Sequence, residues 1–215
     1  MKLLIATRNP KKGAELQSML VGLPVQILTL RDFPGVPNVE EDGSTLEENA
    51  AKKASETARA SGLHAVADDS GLFVDALRGR PGVQSARYAG PEPTSEKLCR
   101  KLLGEMREVP DSERGAHFRC CIAMADPAGG IVLTADGRAD GMISREMRGK
   151  GGFGYDPVFH YGPAGKTFAE MPPDEKNAVS HRGRALSRFR ERLIRFIESG
   201  SQAGSGADCP PKSEG

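Results

Sequence analysis

Apolar and polar positions follow two rhythms along this chain. "KLLIAT" is a short continuous apolar run, as a buried strand requires. In "NPKKGAELQSML" the apolar residues Leu16, Met19 and Leu20 share one face at helical spacing, so a helix is expected there. "VQILTL" reads as a second strand, and the Pro- and Gly-rich "RDFPGVPNVEEDGS" as a loop. Ser44 with Glu47, and Thr45 with Glu48, both fit a capping box. A helix should therefore run through "LEENAAKKASETARA" and stop near Gly62. "HAVAD" is a third strand, expected to end abruptly at the adjacent acids Asp68 and Asp69.

Further on, "RPGVQSARYAGPEPTS" is a long connection, followed by a helix from about Glu96 to Met106. "AHFRCCIAMAD" and "GIVLTADGRADGMIS" have the length and pattern of a strand pair turning at "PAGG". A Gly-rich loop, "RGKGGFGYDP", leads into the short apolar "VFHY". The last helix is expected over 180–198, and the composition of 199–215 is that of a disordered tail. Alternating elements early and a strand pair late specify an α/β protein with a mixed sheet.

Composition narrows the classes. Lys and Arg total 30 against 29 Asp and Glu, which argues against a broad nucleic-acid surface but leaves room for a local anion pocket. The cysteines Cys99, Cys120, Cys121 and Cys209 form no CxxC pair, so reduced thiols are expected rather than zinc or disulfides. The first apolar run is too short for a signal peptide, and no stretch has the length of a membrane span. A soluble, cytoplasmic protein is expected, without a membrane or nucleic-acid partner.

Several segments carry candidate chemistry. "TRNPKK" sits where a strand hands over to a helix, and free N–H groups at a helix start attract anions. By itself, the segment reads more readily as an ordinary helix start, with Asn9 as cap, Pro10 in the first position and solvated lysines. "GPAGKT" imitates the end of a phosphate loop, but position 160 is His rather than the required Gly. The four histidines show no metal-ligand spacing. "KNAVSHRGRAL" gathers Lys176, His181, Arg182 and Arg184 around a helix start, suited to an anion or a base carbonyl as well as to solvent. Acids at 40–42 complement the following helix dipole or supply a metal ligand. Asp68 and Asp69, after a buried strand, lie where open α/β sheets place ligands. Carboxylates there suit magnesium and can take a proton from water.

Taken in order, "TRNPKKGAEL", "EEDGSTLEENAAKKA", "ADDSGL", "PGVQSARYAG", "GGFGYDPVF" and "SHRGRAL" closely resemble the inosine/xanthosine triphosphate pyrophosphatase family, over residues 1 to about 197. The resemblance implies an elongated α/β fold, a single unit over 1–198 with two lobes around a central nucleotide cleft. It implies a magnesium-dependent homodimer that hydrolyses ITP, dITP and XTP to the monophosphate and pyrophosphate. By position, Thr7, Arg8, Asn9, Pro10, Lys11 and Lys12 would hold the triphosphate, with Lys53 facing the phosphates. Glu41 and Asp69 would hold magnesium, Asp69 acting as base with Asp68 beside it. Ser70, Phe153, Gly154, Tyr155, Asp156, Lys176, His181 and Arg182 would complete the nucleotide site. The purine's six-position oxygen is expected at Ser180–Arg182, with Phe153 or Tyr155 stacking on the base. Arg8 departs from the family pattern, which has a small residue there. The competing assignments are a Maf-like nucleotide pyrophosphatase and a nucleotide-binding regulator without hydrolysis.

Overall fold

The computed structural model describes residues 1–203, with side chains through residue 199; most of the tail expected over 199–215 lies outside the described residues. The chain runs β1 (Lys2–Ile5), α1 (Pro10–Leu20), β2 (Gln26–Thr29), α2 (Leu46–Ser61), β3 (His64–Val74) and β4 (Pro81–Gly82). It continues with α3 (Ser95–Glu105), β5 (Gly115–Ala125), β6 (Ile131–Ile143), β7 (Phe159–Tyr161), β8 (Lys166–Thr167), α4 (Pro173–Val179) and α5 (His181–Ala203). The sheet order is β2-β1-β3-β5-β6-β7-β8, with β4 pairing β3 off this path. β1 is parallel to β2 and β3, and the other pairs are antiparallel, so the α/β sheet is mixed as expected.

Local chemistry explains the helix starts. Asn9 caps α1, its side-chain oxygen accepting from the Lys11 and Lys12 amides, with Pro10 in the first turn. Thr45, rather than Ser44, caps α2 in a full capping box with Glu48, and Gly62 ends the helix in the left-handed conformation.

The two faces of the sheet have different cores. On one, α2 lays Leu46, Ala50, Ala54 and Ala58 against Ala65, Ala67, Cys121, Ala123 and Ala125. These small residues allow helix and sheet to approach closely. On the other, α1 and α5 pack Leu16, Leu20, Leu186, Phe189 and Leu193 against Ile5, Val66, Cys120, Ile122 and Met124. Adjacent Cys120 and Cys121 thus enter opposite cores, as strand alternation demands; both are free and buried. Gly137 on β6 permits the close approach of α5, because a Cβ there would run into the His181 carbonyl and the Ala185 amide. A third cluster, including Leu72, Leu98, Leu102, Met106, Phe159 and Phe168, fills the far end. Among the described residues no helix is long and apolar enough to cross a membrane.

Two expectations need correction. β3 does not end at the paired acids. It stays paired with β5 from Ala65 to Val74, through Asp68↔Ile122 and Asp69↔Cys121, because the apolar "GLFV" continues the strand that the acids interrupt only chemically. The segment from Lys176 to Arg184 is not one helix start. Lys176 lies on the separate α4, and Ser180 ends that helix while its Oγ accepts the Gly183 amide at 3.0 Å in the first turn of α5.

Candidate active site

The site arises from a gap in the sheet edge. β1 makes its last bond to β3 through the Ala6 amide and the Val66 carbonyl at 2.8 Å. β4 rejoins β3 only at Leu72 and Phe73. Between them, residues 67–71 present an open strand edge beyond the C-terminal end of β1, the position where α/β sheets bind ligands. A cleft of about 630 Å³ opens there.

Asp69 and Ser70 form its floor, and Thr7, Arg8, Asn9 and Lys12 line it from the start of α1. Glu41 and Lys53 line it from the loop before α2 and from α2 itself. Phe153, Gly154, Tyr155, Asp156, Lys176, Ser180, His181 and Arg182 make the opposite wall. Pro10, Lys11 and Asp68 do not line the cleft. Lys11 reaches across its mouth, donating to the Gly152 carbonyl at 2.8 Å. Arg8 donates to the Val36 carbonyl at 3.2 Å, which ties the first motif to the loop after β2.

Strand alternation separates the two acids. Asp68 points toward α1 and α5, where it pairs with Lys12 at 2.8 Å and with the guanidinium of Arg182. Arg182 also pairs with Glu15 at 2.5 Å and donates to the Lys12 carbonyl at 2.9 Å. Burial alone would raise the Asp68 pKa, but Arg182, Lys12 and Lys53 hold it far below the usual carboxylate range. Burial lowers Lys12's affinity for its proton, and Asp68 more than offsets this, so the ammonium stays charged.

Asp69 points the other way. Its Oδ2 accepts from Asn49 Nδ2 at 3.0 Å, and its Oδ1 from the Ser70 amide at 2.9 Å. Burial raises its pKa, and the nearby Glu41 adds to the rise while Lys53 and Lys12 oppose it. Lys53 donates to Glu41 Oε1 at 2.5 Å and to the Asp68 carbonyl at 2.7 Å. Two carboxylates, Glu41 and Asp69, thus share one cleft with cationic side chains around them. Among the described residues no group of three or more His, Cys, Asp or Glu forms a complete metal cage. The pair fits a hard divalent cation that takes one or two carboxylates and completes its shell with water and substrate phosphates.

The opposite wall is aromatic and polar. Asp156 Oδ2 accepts from the Phe153 amide and from Lys176 Nζ, both at 2.7 Å. This folds the Gly-rich loop so tightly that a Cβ on Gly152, at φ 69°, would strike the Asp156 carboxylate. The Lys176 ammonium lies 4.8 Å from the Phe153 ring centre. Tyr155 is buried in the core and donates to the Ser85 carbonyl at 2.9 Å. That places its ring as packing, and leaves half-buried Phe153 as the aromatic able to stack on a ligand. His181 is buried and stacked on Phe118, ring centres 4.4 Å apart. Burial, reinforced by Lys176, Arg182 and Lys12, pushes its pKa well down, so the imidazole is neutral. Its Nδ1 has no hydrogen-bond partner among the described residues.

The geometry adds residues that the motifs did not single out. Asn49 touches Asp69, Glu15 touches Arg182, and Arg87 Nη2 donates to the Glu41 carbonyl at 3.0 Å. A signal existed for Asn49: it falls on the apolar face of α2, four residues before Lys53, where a polar side chain needs a partner.

The model of the Ham1 family matches residues 3–192. The chain belongs to the Ham1 family. A dITP/XTP pyrophosphatase of Geobacter sulfurreducens is 54% identical over 192 residues, 89% of this chain and 96% of its own length. The corresponding protein of Desulforamulus reducens is 48% identical over 196 residues, 91% of this chain and 97% of its own. Among solved structures, a HAM1 protein from Coxiella burnetii superposes with a TM-score of 0.85 at 42% identity, covering 91% of this chain and 99% of its own. The dITP/XTP pyrophosphatase from Mycobacterium abscessus gives 0.74 at 46% identity, over 87% and 98%. The match spans every Ham1 element that builds the cleft, from β1 through the first half of α5.

Proposed function

We propose that the protein hydrolyses non-canonical purine nucleoside triphosphates, dITP, ITP and XTP, to the monophosphate and pyrophosphate. The observation that carries this reading is the division of one cleft into two halves. Lys12, Lys53 and the start of α1 surround Asp69 and Glu41 on one side, while Phe153 and His181 stand on the other. A triphosphate fits the first and a base the second. The names of the similar Ham1 proteins agree with that assignment.

In this reading Asp69, fixed by Asn49, takes the proton from a water attacking the α-phosphorus. Lys12 and Lys53 offset the negative charge of the phosphates at the positive end of the α1 dipole. Glu41 and Asp69 would hold Mg2+, which when bound supplies charge neutralisation at the phosphates. His181, with its unpaired Nδ1, is placed to meet the six-position oxygen of the purine. With the imidazole proton on Nδ1, His181 donates to a keto oxygen there, whereas the adenine amino group offers only donors, so ATP leaves the site unsatisfied. Phe153 stacks on the base. We assign residues 1–198 to one two-lobed catalytic unit, working as a cytoplasmic homodimer. A panel of nucleoside triphosphates with magnesium, scored for pyrophosphate, tests the reading. Preference for dITP and XTP over ATP and the pyrimidines is expected, and pyrophosphate from none of them would reject it.

A further inference from the structure

Asn49 is fully buried in the first turn of α2. A helix interior does not favour Asn, and a buried amide costs free energy unless its donors and acceptor find partners. Its two ends reach two different parts of the site. Oδ1 accepts from the Gly43 amide at 2.8 Å, in the loop just after Glu41. Nδ2 donates to Asp69 Oδ2 at 3.0 Å, on β3. Gly43 makes the first contact possible, because a Cβ there would collide with Asn49 Oδ1 and with the Glu48 side chain. The same loop is held from its other side by Arg87 on the Glu41 carbonyl.

Asn49, Lys53 and Thr57 recur every four residues, so they form a stripe along α2 beside the packed Ala50, Ala54 and Ala58. Lys53 holds the Glu41 carboxylate and Asn49 holds the backbone two residues later. One turn of helix therefore fixes the Glu41 loop at two points and Asp69 at a third.

We propose that Asn49 is a positioning residue: it locks the Glu41 loop to Asp69 and sets which Asp69 oxygen is turned toward the cleft. The inference rests on the reading in which Glu41 and Asp69 act together on a nucleoside triphosphate. A bidentate amide suits this task better than any other side chain of its size. Asp in its place keeps the acceptor for Gly43 but turns a second carboxylate on Asp69, and Ala loses both contacts.

That difference separates positioning from mere stability. The full-length wild type, Asn49→Asp and Asn49→Ala are compared in two assays: amide exchange at Gly43 in metal-free protein by NMR, and kcat and KM for dITP at a temperature where all are folded. In Asn49→Ala we expect Gly43 exchange to speed up by about tenfold or more, as loss of one hydrogen bond implies, with kcat falling by a similar factor and KM changing little. In Asn49→Asp we expect Gly43 to stay protected while kcat falls at least as far. Wild-type kcat in Asn49→Asp, or unchanged Gly43 exchange in Asn49→Ala, overturns the proposal; if Asn49→Ala does not fold, Asn49→Asp decides alone. Should the wild type release no pyrophosphate from any triphosphate, the functional reading fails, and Gly43 exchange still decides whether Asn49 holds the loop.

Discussion

Asp68→Asn separates the roles of the two neighbouring acids. Asp68 lies between the charges of Lys12 and Arg182, and its side chain and that of Arg182 are both about 5% exposed. The substitution keeps the shape and one acceptor but leaves two cations without their shared anion. Removing one partner of a buried pair costs about 3–5 kcal/mol. Here Lys12 retains 17% exposure and Arg182 keeps Glu15, so about 2–4 kcal/mol is the reasonable range. For a chain of this size that lowers Tm by about 5–15 °C. The pH dependence has a definite sign. Asp68 has a depressed pKa when folded, so its contribution is complete above the unfolded carboxylate value of about 4 and fades as the pH falls toward the folded value. Asp68→Asn should therefore show its full loss from neutral pH down to about pH 4, with the gap to wild type beginning to narrow below that. Calorimetry between pH 3 and 7 measures this. Adding Lys12→Met should restore part of the loss, because the two sites share the interaction. A Tm at pH 7 within about 2 °C of wild type, which corresponds to no more than about 1 kcal/mol, would refute the reasoning.

Asp69→Asn leaves an acceptor for Asn49 and should fold normally, but should lose about 100- to 10,000-fold in kcat, the usual worth of a general base, by steady-state kinetics. In the metal-free protein burial should keep the Asp69 carboxyl titrating above the ordinary carboxylate value of about 4, followed by NMR of the side chain; titration at or below that value would contradict the described burial. His181→Ala should narrow the preference for dITP over dATP by about tenfold or more, the effect of one hydrogen bond to the base, measured as a ratio of kcat/KM values; an unchanged ratio would move base recognition elsewhere. Gly137→Ala should push α5 off β6, lowering stability by about 1–3 kcal/mol in denaturant melts and disturbing His181 with it.

The elements with strong local signals were legible in the sequence. The Asn9–Pro10 start of α1, the Thr45–Glu48 capping box, Gly62 at the end of α2 and the β5–β6 pair all follow from chemistry within a few residues. The end of β3 was not. Two charged residues broke its apolar pattern, and only the pairing with β5, far along the chain, shows that the strand continues. The same limit hid α4, whose short run lacks a clear apolar period, and the two-residue strands β4 and β8. Most of the candidate residues do meet around one cleft. What the motifs could not convey is direction: alternation turns Asp68 to Lys12 and Arg182 and Asp69 to Asn49, and the core claims the ring of Tyr155. Such partnerships are set by packing between distant segments.

The most direct test follows the oxygen. dITP is hydrolysed with magnesium in 18O-enriched water, and the products are separated and weighed by mass spectrometry. Attack of water on the α-phosphorus predicts dIMP carrying one labelled oxygen, together with unlabelled pyrophosphate. Label in the pyrophosphate, or dIDP and inorganic phosphate as the main products, would contradict the account.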